Sequence, residues 1–529
     1  MPLIISQIKA TLSQNKESVI SKAFKELNLS DAEVDTAEIF KTSLDARKQS
    51  DIIFVHSVYL KLKSKELERK ICEKFACCSV VESDGLSPVI SEKKRDGEIV
   101  IAGFGPAGMF AGLILAEYGY NPIIFERGES VEERIKSVNY FWQGGELKAN
   151  SNVQFGEGGA GTFSDGKLTT RIKDPLCRVV LAKFVEFGAP KEILFKAKPH
   201  IGTDNLRFIV KAIRERIISL GGQIHFNSTV SNFSISNDKL TEISTEKHNV
   251  KTQALILAIG HSARDTFEKL LKNGVSLENK AFSVGARIEH LQSDVNHSLY
   301  GKHADNPLLP EGEYQLSHRD NSGRAVYTFC MCPGGIVVPA ASELGGVVTN
   351  GMSEFSRSEK NANAALVVSV SKDDFGDKPL DGVDFARKIE QNAFRLTGGN
   401  YFAPVSTVGD FLNGSSIYTR SNIIPSYSRG VVQCDFQKLF PSEVSQMMKN
   451  GLRKFSRQMN CFGDINAILT APETRTSSPV RINRNENFES ISTKNLFPCG
   501  EGAGYAGGIM SAAVDGIKVA LKVMENFAP

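Results

Sequence analysis

The sequence predicts an α/β protein: a parallel-sheet nucleotide-binding domain supplied by two separate segments, an inserted strand-rich domain, and a small N-terminal α+β domain. Three observations predict it. An apolar strand runs into three spaced glycines and an apolar helix just past residue 98, a second strand meets a glycine-rich turn and a helix from residue 496, and strand-like stretches fill much of the chain between. With 529 residues there is room for several domains and a large buried core. Hydrophobic residues at 41% and charged residues at 23% exclude a disordered or linker-dominated chain. A formal charge of +3 is too small to argue for nucleic acid by electrostatics alone.

Residues 1–96 form the first block. Val19, Ile20, Ala23, Phe24 and Leu27 recur at helical spacing, and Ile52–Leu62 has an apolar core followed by alternation, as in a strand. The block closes with the charged run SEKKRDGE, read as a linker. Nine scattered cysteines without a CxxC pair argue against a disulfide framework, zinc or another metal site. Without a leader-like apolar stretch or a span of about 18 apolar residues, the expected location is a reducing cytoplasm, away from membranes.

Residues 97–285 open the nucleotide-binding domain. Ile99–Ala102 is wholly apolar, as in a strand buried on both faces of a parallel sheet. Gly103, Gly105 and Gly108 follow as GxGxxG, with Pro106 and Ala107 between them, then an apolar helix over 109–118 and a strand over 122–125 ending in Glu126 and Arg127. The first glycine permits the turn, the second lets backbone approach a pyrophosphate, and the third lets helix and strand pack closely. Glu126 lies 23 residues after Gly103, near the spacing expected of an acid on ribose hydroxyls. Ala254–Gly260 (ALILAIG) is a further apolar strand ending in glycine.

The inserted domain is placed at 286–464, and the nucleotide-binding domain resumes over 465–529. There Leu496–Pro498 ends a strand, Gly500-Glu501-Gly502 sits at its tip, and a helix begins at Ile509 with apolar residues Met510, Ala513, Val514, Ile517, Leu521 and Met524 on one face.

This closing segment resembles that of the glutathione-reductase-type flavoproteins. The resemblance implies a discontinuous Rossmann-type FAD-binding domain, with Glu501 at the ribityl and phosphate region, Gly508, Ile509 and Met510 near the isoalloxazine, and Gly260 returning beside FAD. The family more often carries Asp where Glu501 stands. A closer resemblance rests on NVQFGEGGAGTFSDGKLTTR, FERGESVEER, FSVGARIEH, FCMCPGG, TNGMS and APETRTSSPVRI. It is to a bacterial and plastid family of FAD-utilising (NAD(FAD)-utilising) dehydrogenases, and extends from about Leu44 to the C-terminus. It implies an FAD-dependent oxidoreductase and specifies no reaction. No CxxxxC pair follows the helix over 109–118, and no second GxGxxG/A unit follows a clear apolar strand, Gly156–Gly161 reading instead as a loop against FAD, so NAD(P)H is expected to bind only transiently at the ring face.

The loop Gly158–Leu168 is the candidate ring-side segment. Gly158, Gly159, Gly161 and Thr162 are expected against FAD; Ser164 and Asp165 offer polar groups, and Lys167 a charge that could stabilise anionic reduced flavin. Cys330 and Cys332, two apart in a strand, are expected on one side, as a redox pair or as buried free thiols. Arg475 could clamp an anionic substrate or serve a domain-bridging salt bridge. Asp204 and Asn205 read as helix caps, His200 as structural; Arg287 and His290 lie on a strand leaving the FAD domain, and His261 and Arg264 follow Gly260. The expected partner is a small-molecule substrate at the domain interface. The alternatives are a flavoenzyme acting on nucleic-acid bases, which the near-neutral charge disfavours, and a non-catalytic FAD redox sensor. Substrate, reductant and oligomeric state are not legible.

Overall fold

The computed structural model describes residues 2–80, 85–414 and 421–529. At the N-terminus, β1 (Leu3–Thr11), β2 (Val34–Asp45), β3 (Ile53–Leu62) and β4 (Cys78–Val80) form an antiparallel sheet ordered β2-β3-β1-β4. Helices Lys16–Leu27 and Lys65–Lys74 complete a β-α-β-β-α-β unit of the ferredoxin-like kind. Their apolar stripes meet the buried alternate residues of β1 and β3 in one core: Leu3, Ile5 and Ile8 against Val19, Ala23, Val58, Leu60 and Ile71. This unit is tied to the rest of the chain. Thr42 N–H donates to the Phe195 carbonyl (2.6 Å) and Ala197 N–H to the Thr42 carbonyl (2.8 Å), while Gln49 reaches the Ser298 carbonyl at 3.0 Å.

The second sheet is built from β5 (Glu98–Ala102), β6 (Ile123–Phe125), β7 (Gln223–His225), β8 (Asn232–Ser236), β9 (Lys239–Ser244) and β10 (Asn249–Leu257). Strands β7, β6, β5 and β10 run parallel, in the order of a Rossmann half-sheet, and β9 and β8 extend it antiparallel. Helix Pro106–Glu117 connects β5 to β6 and is buried from Ala107 to Ala116, which explains why it is apolar all round. It can lie this close because position 108 is glycine: a Cβ there would strike the Gly103 carbonyl oxygen.

The third sheet belongs to the inserted segment. Its strands are β12 (Phe282–Leu291), β13 (Ser317–Arg319), β14 (Ala325–Cys332), β17 (Asn361–Val370), β18 (Ala403–Thr407), β19 (Val431–Gln433) and β20 (Ile468–Glu473), in the order β13-β14-β17-β12-β20-β18-β19. Central β12 and β17 pair antiparallel over their full length, from Phe282↔Val370 to Leu291↔Asn361. Helix Ser442–Phe455 covers one face, where Met448, Leu452 and Phe455 pack with Ile288, Leu366 and Val368. Strand β20 lies inside the segment expected to resume the FAD domain at 465, yet pairs here with β12 and β18. Two further antiparallel pairs stand apart from the large sheets: β15 (Ile336–Pro339) with β16 (Thr349–Met352), close in the chain, and β11 (Leu277–Asn279) with β21 (Val480–Ile482), far apart in it. Finally β22 (Leu496–Pro498) returns parallel to β10 in the second sheet, followed by helix Ile509–Asn526 against helix Pro106–Glu117.

An ion cluster bolts the inserted domain to the second sheet. Arg264, on the helix after β10, donates to both oxygens of Glu390 (2.9 and 2.8 Å), and Arg475 donates to the same two oxygens at 3.1 Å. Among the described residues, no helix is long and apolar enough to cross a membrane.

Candidate functional site

A cavity of about 1710 Å³ runs between the parallel sheet and the inserted sheet. That exceeds the roughly 300–1,000 Å³ typical of a small-ligand pocket, leaving room for a dinucleotide and a second molecule. Its floor is the turn after β5, with Gly103, Gly105, Pro106 and Ala107 on the wall. Gly103 takes φ +97°, a left-handed conformation that favours glycine. The helix that follows is capped by Gly105, which has no side chain to occupy the first-turn N–H groups. Those donors and the positive end of the helix dipole suit a phosphate.

Glu126, at the tip of β6, is buried on the same wall. Its Oε2 accepts from Phe104 N–H (2.8 Å), and Oε1 from Gly128 and Gly156 N–H (2.9 and 3.0 Å), so one carboxylate ties together the turn, its own strand end and the 156–161 loop. Arg127 also lines the cavity; it donates to Asp265 (2.9 Å) and Thr266 (2.9 Å) and lies over the Phe155 ring.

Gly159 and Gly161 reach the wall, and Gly260 closes it from the end of β10. Gly158 and Thr162 sit behind it: Gly158 N–H donates to the Phe104 carbonyl (2.8 Å), and the Thr162 hydroxyl to the Glu157 carbonyl (3.2 Å). The residue that fixes this loop is Arg134, from the helix at Val131–Trp142. Fully buried, its guanidinium donates to the carbonyls of Asn152, Val153, Glu157 and Gly159. Its FERGESVEER setting reads as charged surface, so sequence gives little hint of that role. Burial pushes the neighbouring Glu157 carboxyl up to about 7, against the Val131 N–H and Arg214 that favour its charge.

At the other end, Glu501, Gly508 and Ile509 line the cavity, while Gly500 and Met510 lie behind with Gly108. Gly500 N–H is held by Asp515 (2.7 Å), itself bidentate with Arg484, a support not singled out in the sequence. Glu501 accepts from Gly508 N–H at 3.3 Å. Burial raises its carboxyl to about 7, opposed by that N–H and by Lys280. Gly508 caps helix Ile509–Asn526 without a side chain, so a second bare helix N-terminus opens on the same space.

Lys167 from the ring-side loop, and Glu313, Cys330 and Arg475, also line the cavity. Lys167 is paired with Glu313 (3.1 Å), which also holds Lys198 (2.8 Å). Burial works against the Lys167 ammonium, but Glu313 and Asp165 outweigh it and keep the group above its ordinary range. Asp165 is bidentate with Arg357 at 3.0 and 2.6 Å. Arg475 reaches the wall with two nitrogens committed to Glu390, the bridging role weighed against a substrate clamp. Desolvation and the two arginines hold His261 near 3, so its ring is neutral.

The expectations for the caps and for the cysteine pair change. Asp204 is not a helix cap: Gly202 caps the helix, which begins at Thr203, and Asp204 accepts from Phe355 N–H (2.8 Å) in the inserted domain. Asn205 donates to the Ile201 carbonyl (3.0 Å). His200 is structural, stacked on Phe355 with Nε2 3.1 Å from its carbonyl oxygen. Arg287 is buried and bidentate with Glu473 (3.0 and 2.8 Å), and His290 packs against Tyr314 and Phe462. Cys330 and Cys332 are not in plain strand alternation. The ladder breaks between Phe329 and Cys332, Cys330 lines the cavity at φ +42°, and Cys332 is buried behind it. All nine cysteines are free thiols, and no group of metal-ligand side chains occurs among the described residues.

The size of the cavity, the glycine cradle and the acids Glu126 and Glu501 on its wall fit FAD. Fold and site define a Rossmann-type flavoprotein. Residues 281–476 match a family described as "FAD-dependent protein, C-terminal domain-like", and residues 1–60 a domain of unknown function. An uncharacterised protein of Clostridium beijerinckii is 46% identical over 535 aligned positions, covering 100% of this chain and 99% of the relative. The chain belongs to the family of that protein, and its residues 281–476 are similar to the C-terminal domain of FAD-dependent proteins. Among solved structures, glycine oxidase from Bacillus cereus is similar at TM-score 0.35 and 10% identity, over 82% of this chain and 98% of that one. An FAD-complexed glycerol-3-phosphate dehydrogenase from Bacillus halodurans is similar at TM-score 0.35 and 11% identity, over 83% and 67%.

Proposed function

We propose that the protein is an FAD-dependent oxidoreductase of the glutathione-reductase type, moving a hydride or electrons between FAD and a small organic molecule bound under the inserted sheet. The observation that carries this reading is the pair of uncapped helix N-termini, at Gly105 and Gly508, opening on one continuous cavity. The first suits the pyrophosphate, with Glu126 and Arg127 toward the adenosine end. The second suits the pyrimidine edge of the isoalloxazine, where negative charge develops on reduction. FAD supplies the redox chemistry. The chain's own groups hold it between Gly159, Gly161, Gly260 and Glu501, and present Lys167, Cys330 and Arg475 to the substrate space. NAD(P)H, with no second strand-led GxGxxG/A unit to receive it, binds transiently in that space.

An anaerobic absorbance spectrum tests the reading before and after NADH, then NADPH. A flavin band bleached by one of them is expected. Failure to retain any flavin after reconstitution overturns the FAD assignment; retained flavin that neither reductant bleaches overturns the role given to NAD(P)H.

A further inference from the structure

Cys330 is placed unlike the strand around it. Pairing of β14 with β17 runs regularly from Val326↔Val368 to Phe329↔Ala365, then slips and resumes at Cys332↔Asn363. Within that slip Cys330 adopts a left-handed backbone, φ +42°, a conformation that non-glycine residues hold only when the surroundings impose it. What imposes it is visible: Arg287, locked on Glu473, donates from Nη1 to the Cys330 carbonyl oxygen at 2.8 Å. The result brings Cys330 to the cavity wall and leaves Cys332 directly behind it. The Cys332 S–H donates to the Cys330 carbonyl oxygen at 3.5 Å.

Five groups bear on the charge of the Cys330 sulfur: Cys332, Arg287 and Glu473 from the inserted sheet, Lys167 from the ring-side loop, and Glu501. The Cys332 S–H holds the Cys330 thiol below its ordinary range against burial, with Arg287 and Lys167 adding to the effect. The same hydrogen bond and burial push Cys332 upward. One sulfur is therefore a ready nucleophile and the other a proton-bearing reserve, the division of labour that thiol–disulfide exchange needs.

Resting on the FAD reading above, we propose that Cys330 and Cys332 form a thiol–disulfide relay that carries electrons from reduced FAD to a disulfide-bearing substrate in the cavity. The Cys330 thiolate attacks one sulfur of the substrate, forming a mixed disulfide and expelling a thiolate. The Cys332 thiol gives its proton to that leaving group and attacks the Cys330 sulfur, closing the internal disulfide and releasing the second substrate thiolate. Cys330–Cys332 then takes back two electrons and one proton from reduced flavin, regenerating one thiolate and one thiol while flavin returns to its oxidised form. A CxC disulfide closes a small strained ring, which makes it oxidising and favours this return.

The test uses full-length holoprotein, reduced, freed of reductant and given dithiobis(nitrobenzoate) as the disulfide. Peptide mass spectrometry should find an internal Cys330–Cys332 disulfide in the wild type. Cys332→Ala should stop at a nitrobenzoate mixed disulfide on Cys330, and Cys330→Ser should lose both products. Iodoacetamide should modify Cys330 with a midpoint below the ordinary thiol range of about 8.5, and Cys332→Ala should move that midpoint up. In anaerobic titration, the oxidised wild type should take two more electrons from dithionite for each bound flavin than Cys330→Ser, in which no disulfide forms at this site. A wild type that halts at the same mixed disulfide as Cys332→Ala, or equal dithionite consumption by wild type and Cys330→Ser with flavin bound in both, overturns the relay. An internal disulfide in a protein that retains no flavin on reconstitution overturns the FAD reading instead, and the electron transfer with it.

Discussion

Glu501→Gln is expected to stabilise the FAD-free protein at pH 8 and to leave it little changed at pH 5. The wild-type carboxyl is lifted by burial from its ordinary 4.5 to about 7 in the folded chain. A group whose folded value is raised holds its proton more tightly in the folded state, so folding weakens as pH climbs from 4.5 through 7 and the full cost is present above 7. At 1.36 kcal/mol per pH unit the shift corresponds to about 3 kcal/mol. Because Glu501 is partly open to the cavity, water screens some of this, and a gain of about 1–3 kcal/mol is expected from the neutral amide. Glu157 carries a similar raised carboxyl, so the decisive quantity is the difference between variant and wild type, in which Glu157 cancels. Urea unfolding of flavin-stripped protein at pH 5, 6, 7 and 8 measures it. A Gln variant whose advantage does not grow with pH refutes the reasoning.

Three further perturbations follow from the supports of the site. Arg134→Met leaves four buried carbonyls without their guanidinium; a loss of about 3–5 kcal/mol is expected, with weakened flavin retention, and a urea midpoint near wild type would contradict it. Glu390→Gln removes the shared anion of Arg264 and Arg475, and unfolding should show a loss of about 3–5 kcal/mol, the cost of breaking a buried ion pair from one side. Gly108→Ala forces a methyl against the Gly103 carbonyl; a cost of about 1–3 kcal/mol and faster FAD release are expected, and unchanged release by fluorescence would count against the tight turn.

The parts of the site written in short, local patterns were legible. Strand, glycine turn, helix and acid fall within residues 98–126, and each follows from backbone sterics or charge at a helix end. The second glycine turn was readable for the same reason. What escaped depended on distant partners. Arg134 and Glu390 sit in sequences that look like charged helix surface, and only the packed chain shows carbonyls or arginines converging on them. Asp204 carries the residue type of a cap, yet Phe355 N–H, from another domain, claims its carboxylate. The spacing of Cys330 and Cys332 predicts a strand pair with both thiols on one side, because a bulge leaves no mark in a two-residue interval.

Strand β10 has consequences for how the chain is made. Its C-terminal half is flanked by β5 on one side and by β22 on the other, so Leu255–Leu257 waits for Leu496–Pro498 before that edge is covered. During synthesis the entire third sheet must emerge, and its strands find one another, while an apolar parallel strand stands without its neighbour. Contacts this distant in sequence slow folding, and an uncovered edge invites pairing with other chains. Residues far downstream of β10 are thus the ones that close the cofactor's sheet. Removing β22 and helix Ile509–Asn526 would reopen that edge, and such truncated products are expected to aggregate instead of surviving as flavin-free domains.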